Sequence, residues 1–333
     1  MEPIHLPPNQ LHRFYQGGAR IASLRNTGTS DEYAPEEWIA SMASPFGEPG
    51  VGIARLPDGR SLSDAVASEP DAFLGPAHVA RYGSDVNVLI KLLDAGERLP
   101  VHLHPDDTFA NAHLDSRYGK TEAWIILDVE PGASVQVGWR DGVTPEQLSE
   151  WVDTQDTDAM LAALADVSIS PGATVYVPAG TPHAIGAGIL LAELQQPTDF
   201  SLLLEYKGFA DDIDGAFLGL GKERALEAVD YEPWTDDVVQ WAVSSRGDRR
   251  PGIEALFPAE ADPFFRAERI RPAPTRLPQE FSVLLVTDGS ATATGVGWET
   301  ALKRGDAVLV PFAAGPCELS GDAEIIRCMG PQA

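Results

Sequence analysis

The chain has 333 residues, with 24 Lys+Arg against 50 Asp+Glu and a formal net charge of −26 at pH 7. That length suits about two domains of ~100–200 residues, and 44% hydrophobic with 22% charged residues excludes a disordered chain. The charge counts against nucleic-acid partners and anionic membrane surfaces, and an anionic substrate would need a local basic patch.

The opening residues MEPIHLPPNQ have neither the basic start nor the apolar stretch of a signal peptide. The longest apolar runs, IILDV, GILLAEL and FSVLLV, fall short of the ~18–20 residues that span a bilayer. A cytoplasmic location without membrane partners is therefore expected. Cys317 and Cys328 form no CxxC pair and are too few for a disulfide scaffold, so both are read as reduced structural thiols.

The 31 Gly and 27 Pro punctuate short runs rich in Val, Ile, Leu, Tyr and Trp, a pattern of many β-strands joined by turns. SLSDAVAS (61–68) reads as a short helix, and VNVLIKLLD (86–94) reads as a strand. His102-Leu103-His104-Pro105-Asp106-Asp107 follows. Alternate residues of a strand share a face, so His102 and His104 can converge on one ion. Asp106 and Asp107 are read as capping the turn after His104. EAWIILD (122–128) is the next strand; it opens on Glu122 and carries Trp124, which is read as core.

Thr144-Pro145-Glu146-Gln147 has the form of a capping box with Pro at the first helical position. Leu148, Trp151 and Val152 continue at helical spacing, and MLAALADV (160–167) extends the helical pattern. ATVYVPAG (173–180) is a strand within Gly172-x5-Pro178-x-Gly180-x2-His183. A further short helix is expected at GKERALEAVD (221–230).

Pro171-Gly172-Ala-Thr-Val-Tyr-Val-Pro178 recurs as Arg304-Gly305-Asp-Ala-Val-Leu-Val-Pro311, an offset of 133 residues. The preceding EAWIILDVEPGASVQVG likewise has a partner in FSVLLVTDGSATATGVG. Two small β-barrels of one type follow from this repeat. His183 corresponds to Pro316, so the first barrel can hold a metal and the second serves structure.

His102, His104, Glu122 and His183 would place three imidazoles and a carboxylate in one barrel. That donor set suits zinc, and also iron, manganese or nickel. His5, His12, His78 and His113 lack spaced partners.

The HxH…E and G-x5-P-x-G-x2-H pair resembles the two cupin motifs. The longer context is similar to the type I phosphomannose isomerases in their short bacterial form, from roughly Phe14 to Cys328. IKLLDAGERLPVHLHPDD (90–107), GKTEAWIIL (119–127), GWRDGVTPEQL (138–148) and VPAGTPHAIGAGILLAELQQPTD (177–199) carry the resemblance. It implies a mainly β fold of two cupin-type (jelly-roll) barrels with a few added helices. Residues 1–210 would form the metal-bearing catalytic domain with a helical insertion near 144–167. Residues 211–262 would form a helical linker, and 263–333 a second, metal-free domain.

Carried over by residue, His104, Glu122 and His183 match family zinc ligands, and His102 stands where the family usually has a Gln ligand. Lys120 matches an active-site lysine, and Glu193 matches the Glu of the E-x-Q segment. Pro100 and Leu203 replace a Ser and an Arg of the family's phosphate contacts; Lys91, Lys207 and Arg140 are the cations at hand to compensate.

The implied function is a metal-dependent aldose–ketose isomerase, converting mannose 6-phosphate to fructose 6-phosphate through an enediol. Glu193 would be the base and Lys120 a donor to the sugar oxygen. An isomerase of an unphosphorylated sugar, a redox cupin using iron or manganese, and a non-catalytic sugar-binding protein are the alternatives. The expected partner is a small sugar or sugar phosphate, with the chain a monomer or homodimer.

Overall fold

The longest apolar runs lie at the centre of the molecule because both faces of their sheet are covered. In a computed structural model describing residues 1–28, 31–246, 249–271 and 274–332, every residue of the strands Leu89–Ala95 and Ile189–Gln195 is buried. A half-solvated strand would alternate apolar with polar residues; these do not.

These strands belong to a six-stranded antiparallel sheet, ordered Gln10–Leu11, Glu36–Ile39, Leu89–Ala95, Ile189–Gln195, Glu122–Val129 and Thr174–Val177. One face carries Leu93, Trp124, Ile126 and Leu191. It shares a core with Val135, Val137 and Ile185 of a five-stranded sheet, ordered Leu202–Leu203, His102–Leu103, His183–Ile185, Val135–Trp139 and Leu164–Val167. The opposite face carries Leu92, Ile125 and Leu194, which pack with Val283, Leu309 and Ile326 of a seven-stranded sheet. That sheet in turn shares a core with a four-stranded one through Leu284, Val308, Leu302 and Leu319. The class is mainly β, as expected, and the four sheets are open layers that face one another in pairs.

The repeat is visible in strand order. The central sheet runs Glu36–Ile39, Leu89–Ala95, Ile189–Gln195, Glu122–Val129, Thr174–Val177. Its counterpart runs Ile253–Ala255, Arg266–Ile270, Glu324–Met329, Ser282–Asp288, Ala307–Val310. Glu122 pairs with Val177 as Ser282 pairs with Val310. The two halves therefore share a topology and differ in the residues at matching positions.

The helix Pro145–Thr154 begins at the Thr144–Gln147 capping box, as the sequence predicts, and Leu62–Ser68 is capped by Ser61. The stretch 160–167 differs from its helical reading. A helix over Thr157–Ala163 ends there, and Leu164–Val167 is a strand paired with Val135–Trp139. Helical spacing of Leu and Ala did not register that Leu164 and Val167 are fully covered on the edge of a sheet. Of 221–230 only Lys222–Leu226 is helical. The helices Pro145–Thr154, Thr157–Ala163 and Lys222–Leu226 cover the outer face of the five-stranded sheet, leaving its inner face to the site, whereas Leu62–Ser68 packs in the core between the six- and seven-stranded sheets.

Candidate metal centre and its pocket

The parity of two sheets assembles the site. Val101 and Leu103 face the helical layer, so His102 and His104 point the other way, between the sheets. Ala184 likewise faces the helices and His183 the interior. His183 is paired directly across the ladder from His102. From the opposite sheet Glu122 shares the inward face of Trp124, and Glu193 that of Leu191.

The three imidazoles are buried, and their nearest ligating nitrogens all lie within 4.8 Å of one another. Each Nδ1 is held by a backbone carbonyl: His102 to Pro100 at 2.8 Å, His104 to Phe200 at 2.7 Å and His183 to Thr181 at 2.9 Å. A carbonyl only accepts, so each Nδ1 donates and each Nε2 is left as a lone pair aimed inward. Glu122 lies opposite, with Oε2 3.1 Å from His104 Nε2 and Oε1 3.3 Å from His183 Nε2. Trp124 Nε1 donates to Glu122 Oε1 at 3.0 Å, so this core tryptophan also orients the carboxylate.

Glu122 Oε2 and His183 Nε2 are buried without a hydrogen-bond partner. Acceptors facing acceptors in a dry interior are unfavourable unless a cation lies among them. The residues thus fit a dication. The Lys120 ammonium is the positive charge now nearest, 3.0 Å from both His104 Nε2 and Glu122 Oε2. Lys120 precedes the Glu122 strand rather than lying on it, yet its side chain still reaches the centre. Burial lowers the imidazole pKa values of His104 and His183, each to about 3, with Lys120 adding to the fall at His104, so both are neutral ligands near neutral pH. Glu122 stays ionised despite its burial, held low chiefly by the Lys120 ammonium.

A cavity of about 730 Å³ opens onto this centre and is lined by His102, Lys120, Glu122 and Glu193 among others. Glu193 is buried, with Oε1 3.7 Å from Lys91 Nζ and 3.9 Å from Lys120 Nζ and no hydrogen-bond partner. Burial and the nearby Glu122 raise its pKa to about 7, against the pull of Lys91 and Lys120. Pro100 and Leu203 line the same cavity. Of the cations at hand in the sequence, Lys91 lines it, whereas Arg140 is paired with Asp166 on the surface. Asp106 caps the helix Asp107–His113, and Asp107 accepts from Gly119 N and Gln196, so both serve the turn after His104.

No family model matches the chain. Mannose-6-phosphate isomerase ManA of Bacillus subtilis (strain 168) is 30% identical over 250 residues, 73% of this chain and 75% of that protein. The chain belongs to the mannose-6-phosphate isomerase family. The crystal structure of the mannose 6-phosphate isomerase from Bacillus subtilis superposes with a TM-score of 0.79 at 23% identity, covering 98% of this chain and 99% of that one. A mannose 6-phosphate isomerase solved with zinc and yttrium superposes with a TM-score of 0.76 at 16% identity, covering both chains fully. Family membership makes this chain an isomerase.

Sequence reasoning missed a second layer of this isomerase pocket. Arg13, Tyr15, Glu36 and Asp199 all line it. Tyr15 donates to Glu36 Oε1 at 2.8 Å and Trp38 Nε1 to Glu36 Oε2 at 2.7 Å. Lys91, almost fully buried, lies 3.5 Å from Glu36 and 3.2 Å from Asp199. Burial pulls the Lys91 ammonium down, but Glu36, Asp199 and Glu193 outweigh it and hold the group charged. These residues come from separate segments and carry no spacing that would have announced them.

Proposed function

We propose that this isomerase interconverts mannose 6-phosphate and fructose 6-phosphate, with a dication held by His102, His104, Glu122 and His183. The convergence of three buried imidazoles, two of them directly against the Glu122 carboxylate, carries the reading. Three neutral imidazoles and one carboxylate suit zinc, as a borderline ion that takes nitrogen and oxygen donors. When bound, such an ion polarises the sugar carbonyl or hydroxyl as a Lewis acid.

The chain's own residues account for the proton. Glu193, with its pKa raised toward neutrality, removes the proton α to the carbonyl and returns it to the neighbouring carbon. Positioned bases of this kind contribute roughly 10²–10⁴-fold. Lys120 donates to the sugar oxygen on which charge develops in the enediolate, and Lys91 keeps Glu193 oriented from the other side.

Each pair of sheets is read as a cupin-type jelly roll. The metal-bearing unit is read as 1–210, a linker as 211–262 whose strand Ile253–Ala255 already joins the sheet of the following unit, and a metal-free unit as 263–333, in a cytoplasmic monomer or homodimer. Among the described residues, no helix is long and apolar enough to cross a membrane.

A specific observation supports a second substrate: Pro100 and Leu203 line the cavity without donors, and Lys91 is already flanked by three carboxylates. An unphosphorylated sugar would suit such a wall. Zinc-replete protein incubated in heavy water with aldoses and their 6-phosphates decides between them. Deuterium appearing at C1 or C2 of mannose 6-phosphate is expected, with metal and exchange lost together in His183→Ala. Exchange with free sugars alone would transfer the assignment to the second substrate, and exchange with neither would defeat both.

A further inference from the structure

We propose that Arg13 is a specificity-determining residue that binds the anionic end of the substrate at the pocket mouth, an inference that rests on the sugar-phosphate reading above. Among the described residues three cations line the cavity, and they differ in depth. The side chains of Lys91 and Lys120 are 3% and 6% exposed, and that of Arg13 is 16% exposed. Lys120 is engaged at the metal centre, and Lys91 is enclosed by Glu36, Glu193 and Asp199. Arg13 lies toward solvent, between His12 and Phe14, whose exposed side chains also line the mouth. A hexose whose C1 and C2 reach the metal centre at the floor directs C6 outward, toward this guanidinium.

Arg13 is held and still has donors to offer. Its Nη2 donates to Asp199 Oδ2 at 2.8 Å, and Nε faces Glu36 Oε1 at 3.2 Å without forming a hydrogen bond. The two carboxylates fix the plane of the guanidinium. Nη1 has no partner among the described residues, and a guanidinium carries five N–H donors in a rigid fork suited to phosphate. Leu203 on the same wall supplies none. Preorganised arginine with free donors is the usual device for a phosphate dianion.

The test measures steady-state rates and C2 deuterium exchange with mannose 6-phosphate and with mannose, on metal-replete wild type, Arg13→Met and Arg13→Lys. Charge-assisted hydrogen bonds of this kind correspond to about 10–100-fold. The KM for mannose 6-phosphate should rise by that factor in Arg13→Met, and the preference for it over mannose should fall alongside. Arg13→Lys, which keeps the charge but not the fork, should fall between, and competitive inhibition by inorganic phosphate should weaken in the same order. If removing the partner of Glu36 and Asp199 unfolds Arg13→Met, Arg13→Lys and the phosphate inhibition constants decide. Equal loss on both sugars, or an unchanged preference, in a wild type active on mannose 6-phosphate overturns the role of Arg13 alone. A wild type that exchanges deuterium into mannose and not into its 6-phosphate overturns the substrate reading and this inference with it.

Discussion

Glu193 is the residue whose role depends most on surroundings that its strand does not supply. Ile189–Gln195 is otherwise apolar or small, apart from Gln195, and a carboxylate there faces the dry interior, beside Glu122 and between two lysines. Burial first, then Glu122, raise its pKa to about 7. The ionised fraction therefore grows with pH, and kcat/KM should climb on an acid limb with its midpoint at about 7 or lower, since a bound dication offsets the charge of Glu122. Glu193→Gln should abolish the limb and cost roughly 10²–10⁴-fold in rate while metal content is retained; a pH–rate profile and metal analysis check both. A limb that persists in Glu193→Gln would assign the base elsewhere. Spacing made His102, His104, Glu122 and His183 legible as candidates in the sequence, whereas Lys120 and Glu193 were named only through the family resemblance. Arg13, Glu36 and Asp199 were not legible, because they meet only through the fold.

Strands were legible where apolar runs are bounded by Gly and Pro, and least legible where a β-bulge breaks the pattern. The ladder between Val135–Trp139 and Leu164–Val167 shifts register between Gln136 and Trp139. Gly138 lies within that shift at φ 71°, and a Cβ there would lie 2.1 Å from Trp234 Cγ. Bulges of this kind re-aim side chains, and here the partner strand is the stretch whose helical spacing misled. Gly138→Ala should destabilise by about 2–5 kcal/mol, combining overpacking of ~1–3 with a left-handed backbone cost of ~1–2. Gly142→Ala, where a Cβ would meet nothing within 4 Å, should change stability by less than about 0.5 kcal/mol. Denaturant midpoints of the two variants provide the comparison, and similar midpoints would mean that Trp234 can move aside.

At the scale of the whole molecule the repeat was legible and the way its copies join was not. Offset strings reveal two related halves, but which faces lie together is settled by burial between distant strands. Matching positions have also been rewritten: Glu193 pairs with Lys91 in one half, whereas Arg327 pairs with Glu268 in the other. The two halves are joined by the chain's own start. Ile4–His5 pairs with Ala307–Val310, and Arg25 bonds Glu37 at 2.9 and 3.1 Å, the Leu6 carbonyl at 3.0 Å and the Gly305 carbonyl. Both charged side chains of this clamp are 4% exposed or less. Breaking a buried pair leaves an uncompensated charge, so Arg25→Ala should cost about 3–5 kcal/mol. Burial already raises the Glu37 pKa against the pull of Arg25, and removing Arg25 raises it further. A carboxyl whose folded pKa lies above its unfolded one is tolerated below the unfolded value, and stability is lost as pH rises through the folded pKa. The melting temperature of Arg25→Ala should therefore fall further below wild type at pH 8 than at pH 5, and adding Glu37→Leu should remove the pH dependence. A deficit independent of pH in Arg25→Ala would mean that the two carbonyl contacts, rather than the charge on Glu37, are what the clamp contributes.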